Sequence, residues 1–238
     1  MFAKSGSTWT LTKSCTLTKK PLVVPDGVTL DGGGNTLTLS GKFPITGYVV
    51  TAGSLHDLTI DGSGLPTDCT QDFADAIGLR GTGRTVADLT VRNIVCGPAL
   101  LVDSGSVTIS YSTVEHAHIG LVANIDTTAT VDSVTVTDVT YGFFVAGGAT
   151  LSLTNCTIQG ADGTGPIAGG SDGVLFDDEF GNGAGGSVNG CAISGFNGDF
   201  SSNGCGIEID AHAGTVTLGT NSFPNPPGNQ HDICDHRA

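Results

Sequence analysis

Basic residues are scarce in this chain. Its 238 residues include 9 Lys plus Arg against 23 Asp plus Glu, a formal net charge of −14. Nucleic-acid binders need a basic stripe to neutralise phosphates, and none is present. An anionic membrane surface is disfavoured for the same reason, so neither nucleic acid nor membrane is an expected partner. An anionic polysaccharide would need a local basic spot or a bridging cation such as Ca²⁺. Aromatic residues make up 6% and charged residues 13% of the chain. Low charge with many β-branched residues is not the composition of a disordered chain. No apolar run is long enough to span a membrane, and no helix-length stretch shows a 3.6-residue apolar period. Seven cysteines occur without a CxxC pair, which excludes zinc-ribbon and thioredoxin-type readings. The nonapeptide of calcium-binding rolls and the Asn/Leu frame of leucine-rich repeats are also missing.

What is present is repetition. Seven apolar pairs share one five-residue offset: Leu55/Ile60, Val86/Val91, Ile109/Val114, Val131/Val136, Leu153/Ile158, Val188/Ile193 and Leu218/Phe223. Their first members lie 31, 23, 22, 22, 35 and 30 residues apart. The middle spacings define a bare rung of about 22 residues, and the longer ones are that rung plus inserted loops. Between the pairs a small residue opens an alternating strand, as in Gly120-Leu121-Val122-Ala123 and Gly142-Phe143-Phe144-Val145. One rung cannot bury its own apolar face, whereas stacked rungs build a continuous core. The fold expected is all-β, one right-handed parallel β-helix domain over 1–238. Residues 1–25 would cap one end, 26–223 form rungs, and the proline-containing stretch 224–238 cap the other.

The opening Cys15-Thr16-Leu17-Thr18 and Pro21–Gly34 segment, with the rung pattern across nearly the whole chain, resembles the pectin-lyase-like superfamily of β-helix proteins. That superfamily includes polysaccharide lyases, glycoside hydrolases, sugar epimerases, tailspikes and proteins without assigned activity. The resemblance therefore implies the fold more firmly than the function.

Strand alternation places two exposed columns on the second strand of each rung. One reads Gly78, Leu101, Val122, Phe144, Leu175, Glu208; the other reads Arg80, Asp103, Asn124, Ala146, Asp177, Asp210. Insertions at 61–75, 159–172, 178–187 and 195–205 flank this strand and leave the middle bare, as the walls of a ligand groove would. Asp177 and Asp210 should stand about 5 Å apart in adjacent rungs, and Glu208 and Asp210 about 7 Å apart along one strand. Carboxylates at such spacings serve as acid and base on a glycosidic bond, which makes Asp177, Glu208 and Asp210 the candidate catalytic residues. Asp177, Asp178 and Asp210 could equally hold Ca²⁺. Arg80, Asp103 and Asn124 are candidate substrate contacts, with Phe144, Leu101 and Val122 as an apolar platform. A solvated acidic surface is the bland alternative.

The resemblance also sets limits. Lyases of the superfamily commonly use Arg or Lys as base together with calcium, and Arg80 is the one basic residue in either column. Ser171-Asp172-Gly173 and Asp177-Asp178 resemble acidic motifs of polygalacturonases, whose Gly-His-Gly and Arg-Ile-Lys segments are absent. The leading reading is an extracellular polysaccharide hydrolase or lyase. A small-molecule isomerase or cyclase is an alternative, and so is a non-catalytic surface protein. Columns of Ser and Thr beside the apolar pairs admit ice binding, although the two columns lie five residues apart, across a bend. His116 and His118 should project to one side of their turn, where a metal pair would need a third ligand. Asn155-Cys156-Thr157 matches a glycosylation sequon of little specificity.

Cysteine content with abundant Gly, Ser and Thr suits an extracellular protein. Met1-Phe2-Ala3-Lys4 begins no signal peptide, so Met1 is read as standing before a mature N-terminus, with a cytosolic protein as the alternative. Cys69 lies one rung before Cys96 and is expected to bond to it, while Cys156 and Cys191 occupy equivalent rung positions and should stack.

Overall fold

The computed structural model describes residues 1–43, 48–69, 75–163, 167, 169–178, 183–198 and 204–237. Among the described residues, nineteen strands form one continuous sheet wound into a β-helix. Strand pairing is parallel except for Phe2–Ser5 against Thr8–Leu11, a hairpin at the N-terminal end. Within residues 1–25, Thr8–Leu11 and Cys15–Thr18 pair with Thr29–Ser40, and Leu22–Val23 pairs with Val50–Ala52. Within 224–238, His231–Asp235 pairs in parallel with Cys205–Ile209.

Each rung has three walls. The first holds segment 106–110 and strands Thr128–Asp132, Thr150–Thr154, Gly185–Asn189 and Val216–Leu218. The second holds 113–115, 135–137, Thr157–Gly160 and Ala192–Ser194. The third holds 117–123, 139–145, Asp172–Phe176, Cys205–Ile209 and His231–Asp235.

The repeated apolar pairs are the interior. Ile109, Val131, Leu153, Val188 and Leu218 stack in register, as do Leu30, Leu55 and Val86. All but Leu218 are buried. The partner column, Ile60, Val91, Val114, Val136, Ile158 and Ile193, is equally in register and buried. Each fully buried aliphatic side chain contributes about 1.5–3 kcal/mol, so the stacked columns are the main source of stability.

The corners need left-handed backbone. Tyr111, Ser133 and Asn155 have φ of 48°, 55° and 54° between the first and second walls. Asn93, His116 and Asp138 have φ of 60°, 55° and 56° between the second and third. Asn, Asp and His are among the side chains that best tolerate this region.

A glycine column opens the third wall. A Cβ on Gly142 would lie 2.3 Å from the carbonyl oxygen of Gly173, and one on Gly173 would lie 2.4 Å from that of Gly206. The pairing steps over these residues: Tyr141 faces Asp172, and Phe143 faces Val174. Strict alternation is thereby broken, and Tyr141 and Phe144 share the outer face while Phe143 is buried inside.

Two disulfides pin irregular segments. Cys69–Cys96, with an S–S distance of 2.04 Å, is the bond expected from the sequence. Cys205–Cys234, which the sequence reading did not foresee, clasps the last strand. Cys156 and Cys191 are free, buried and stacked, with the Ala192 amide donating to the Cys156 carbonyl at 2.8 Å. Their mutual hydrogen bond, then burial, pushes the Cys156 thiol up. Among the described residues no helix is long and apolar enough to cross a membrane.

Candidate active site

Both outward columns of the third wall are in the register read from the sequence. Leu101, Val122, Phe144, Leu175 and Glu208 pair successively. The second column is carried by backbone bonds: Asn124 N to Val102 O at 3.3 Å, Ala146 N to Ala123 O at 3.0 Å, Asp177 N to Val145 O at 2.8 Å, and Asp210 N to Phe176 O at 3.0 Å.

At its C-terminal end this face is an open groove. Tyr141, Phe144 and Leu175 form its apolar side, and Asp172, Asp177, Asp178, Glu208, Asp210 and His236 its polar side. The candidate catalytic residues Asp177, Glu208 and Asp210 are thus brought together. Asp172, which the sequence offered only through its resemblance to a polygalacturonase acidic motif, joins them, as do Tyr141 and His236, which were not singled out from the sequence. Asp172 and Tyr141 are placed by the glycine steps. His236 is placed by the last strand, its amide donating to the Ile209 carbonyl at 2.9 Å.

The carboxyl groups differ in environment. Asp172 is 1% exposed, and its carboxyl is pushed up to about 7, first by burial and then by the charge and hydrogen bond of Glu208. The Cys205 amide, donating to its Oδ1 at 3.1 Å, opposes the shift. Asp210 is pushed up to about 6 by burial, then by the charges of Glu208, Asp177 and Asp178. Asp178 is held below its ordinary range by the His212 backbone amide at 3.0 Å and the His212 Nδ1 at 2.9 Å. Glu208 Oε1 lies 3.3 Å from His236 Nε2. Pairs of carboxyls whose environments separate their proton affinities are what acid–base catalysis requires.

The aromatic side is ordered edge to face. Tyr141 and Phe144 have centroids 6.3 Å apart at 89°, and His118 and Tyr141 lie 6.2 Å apart at 89°. Burial raises the Tyr141 phenol and lowers His118. His116 and His118 are both half-buried and flank the buried Ala117; His116 Nδ1 meets Asp138 Oδ2 at 2.5 Å, and His118 packs against Tyr141.

Two acidic groups have metal-like spacing. Ligand atoms of Asp177, Asp178 and Asp210 all lie within 4.8 Å of one another, which fits the oxygen donors a calcium ion takes. Asp172, Cys205 and Glu208 are similarly close, but the Cys205 sulfur is committed to its disulfide and is no thiolate ligand.

The other candidate contacts lie toward the N-terminal end. Arg80 Nε bonds Asp103 Oδ2 at 2.7 Å, and its guanidinium sits 5.0 Å from the Tyr48 ring centroid. Burial and the bond to Asp103 push the Tyr48 phenol up to about 12. Asp75 is pushed up to about 6 by burial and the Asp103 charge. Arg80 is therefore already paired, four rungs from the acidic groove. Leu101 and Val122 are half-buried between the two ends, and the buried Asn124 Oδ1 has no hydrogen-bond partner. Parts of each insertion lie outside the described residues.

Residues 75–230 match the family described as right handed beta helix region, and the chain belongs to that family. No curated protein matches it. Among solved structures it is similar to the Azotobacter vinelandii mannuronan C-5 epimerase AlgE6 A-module, at 16% identity and a TM-score of 0.57, covering 87% of this chain. The chain spans 65% of that module's length. The AlgE4 A-module of the same organism is matched at 15% identity over 96% of this chain and 88% of that one, with a TM-score of 0.32. At these identities the AlgE6 likeness establishes the fold.

Proposed function

We propose that this protein is a secreted, carbohydrate-active hydrolase that cuts a neutral polysaccharide in the acidic groove. The observation that carries the reading is the joining of Asp172 to Glu208 beside Asp210. These are three carboxyls in one groove, two of them held protonated well above the ordinary carboxylate range. Asp210 donates its proton to the glycosidic oxygen as that bond to the anomeric carbon breaks. Glu208 takes a proton from the water whose oxygen attacks the same carbon from the opposite face. Their spacing along one strand, about 7 Å, leaves room for that water and predicts inversion. Asp172 keeps its own proton in the bond to Glu208 and so holds Glu208 as the carboxylate base. Tyr141 and Phe144 offer ring faces to sugar, and the two disulfides suit a secreted protein.

A neutral substrate is favoured because no Lys or Arg lines the groove among the described residues. The epimerase likeness supports a uronate polymer as the second substrate to test. Its carboxylate would need a cation held by Asp177, Asp178 and Asp210, whose charge would offset that of the acidic wall.

The test is release of reducing ends from a panel of neutral and uronate polysaccharides, with the anomer of the new end read by NMR. Inverted product from a neutral polymer, lost in Asp210→Asn and Glu208→Gln, supports the reading. Unsaturated or C-5-inverted uronate product would replace hydrolysis by elimination or epimerisation. Silence across the panel would leave a non-catalytic binding protein.

A further inference from the structure

The groove lies on the third wall; the first wall is a different surface. Its strands stack from segment 106–110 to Val216–Leu218 without a register shift. One hydroxyl column there was legible in the sequence: Thr108, Thr130, Ser152, Ser187 and Thr217. The register shows a second column beside it, two residues earlier on the same strands. It holds Ser106, Thr128 and Thr150, then Gly185; Thr215, just before the last strand, continues it, its carbonyl accepting from the Gly186 amide at 2.9 Å. Residues two apart on a strand project from one face, so the wall presents Ser-x-Thr and Thr-x-Thr rows with no bend between the columns. Every threonine in both columns is exposed, and each serine is half-buried. The side chains between them, such as Val107, Ala129, Val131 and Leu151, are buried in the core and fix the backbone beneath.

A second observation concerns charge. The chain carries −14, yet neither column contains a charged residue. Carboxylates flank the columns at the exposed Asp126, two residues before Thr128, and at Asp132, which is engaged by Thr154 Oγ1 at 2.6 Å, Asn155 Nδ2 at 2.9 Å and Ser133 Oγ at 3.0 Å. The two columns themselves offer a charged partner no charge to pair with.

Spacing points to the occupant. Rungs repeat at about 4.8 Å and the two columns at about 6.6–7 Å, a rectangular lattice of hydroxyls. Oxygens on a prism face of hexagonal ice form a rectangular lattice of closely similar dimensions. Threonine sets a methyl beside each hydroxyl on a side chain with little rotational freedom, so apolar and hydrogen-bonding groups alternate in fixed positions. We propose that the first wall binds ice, independently of chemistry in the groove.

The test uses the full chain with ice as the probe. Thermal hysteresis, inhibition of ice recrystallisation and partition into a growing ice hemisphere are measured for the wild type, Thr130→Tyr and Asp210→Asn. Thr130→Tyr places a bulky ring at the lattice centre on an exposed site, and its fold is checked by circular dichroism and thermal midpoint. All three ice readouts should be present in the wild type and in Asp210→Asn, and fall several-fold in folded Thr130→Tyr. Absence of ice activity in the wild type overturns the proposal, as does equal activity in Thr130→Tyr. Retention on crystalline cellulose or chitin that Thr130→Tyr abolishes, without ice activity, would assign the wall to carbohydrate instead. Because Asp210→Asn silences only the groove, failure of either function leaves the other measurable.

Discussion

Asp172 and Glu208 share a hydrogen bond across neighbouring rungs, which leaves one proton between two carboxyls at the base of the groove. Burial and the neighbouring Glu208 charge both oppose ionisation of Asp172, whose carboxyl is pushed up to about 7. Replacing Asp172 by Asn keeps a donor for Glu208 but abolishes the shared proton. Turnover should fall less than in Glu208→Gln, and the pH–rate profile should shift. A profile identical to wild type would show that the pair is not coupled to chemistry.

The pair also has a consequence for folding. An unfolded aspartate releases its proton near 3.8, whereas Asp172 holds its own to about 7 and Asp210 and Asp75 to about 6. Between about pH 4 and 7 the native chain therefore binds more protons than the unfolded chain, and stability falls as pH rises. Asp61 and Asp235, held down to about 2, act in the opposite sense below pH 4. The thermal midpoint should decline from pH 5 to pH 8, and Asp172→Asn should flatten the decline and raise the midpoint at pH 8. Differential scanning calorimetry over that range checks this, and a midpoint rising with pH would contradict the buried acid.

Loss of the acid or the base should cost more than loss of any platform residue. Asp210→Asn and Glu208→Gln are expected to lower turnover by about 10²–10⁴-fold, with midpoints unchanged or raised. Phe144→Ala should mainly raise KM. Since Asp210 must be protonated to act, wild-type activity should fade above about pH 6. Full activity at pH 8 would remove Asp210 from the acid role.

Calcium separates the other use of these carboxylates. Ligand atoms of Asp177, Asp178 and Asp210 lie within 4.8 Å of one another, so calcium should raise the thermal midpoint of the wild type. Asp177→Asn should lose that response. A midpoint indifferent to calcium and to chelator would identify the trio as a purely acidic wall.

The Cys205–Cys234 bond holds the strand whose continuation brings His236 to Glu208. A cross-link closing a loop of this length, at a sequence separation of 29, stabilises by about 3–4 kcal/mol. Cys234→Ser should lower the midpoint accordingly and reduce activity, because His236 is no longer fixed against Glu208. A stable variant with full activity would show that the last strand docks without the bond.

Much of this molecule was legible in its sequence because a solenoid repeats its instructions. The offset between Val131 and Val136 recurs in rung after rung, and alternation from it placed Asp177, Glu208 and Asp210 correctly on one face. Alternation failed where the glycines intervene. Gly142 and Gly173 were visible as landmarks, but their effect, turning Tyr141 and Asp172 into the groove, depends on close backbone contact between rungs. His236 and the Cys205–Cys234 bond were hidden because three prolines precede the last strand and disguise it. The second hydroxyl column stood in plain view as Thr128-Ala129-Thr130, yet its extent required the register.

The glycine column that opens the groove also limits how the groove can be remade. Any side chain at Gly142 or Gly173 would collide with the rung above, so the floor cannot be widened or refilled from beneath. New specificity on this scaffold must enter from above, through the inserted loops. Diversification of the protein should therefore show an invariant floor under variable walls, the division of labour by which a rigid frame acquires new ligands without refolding.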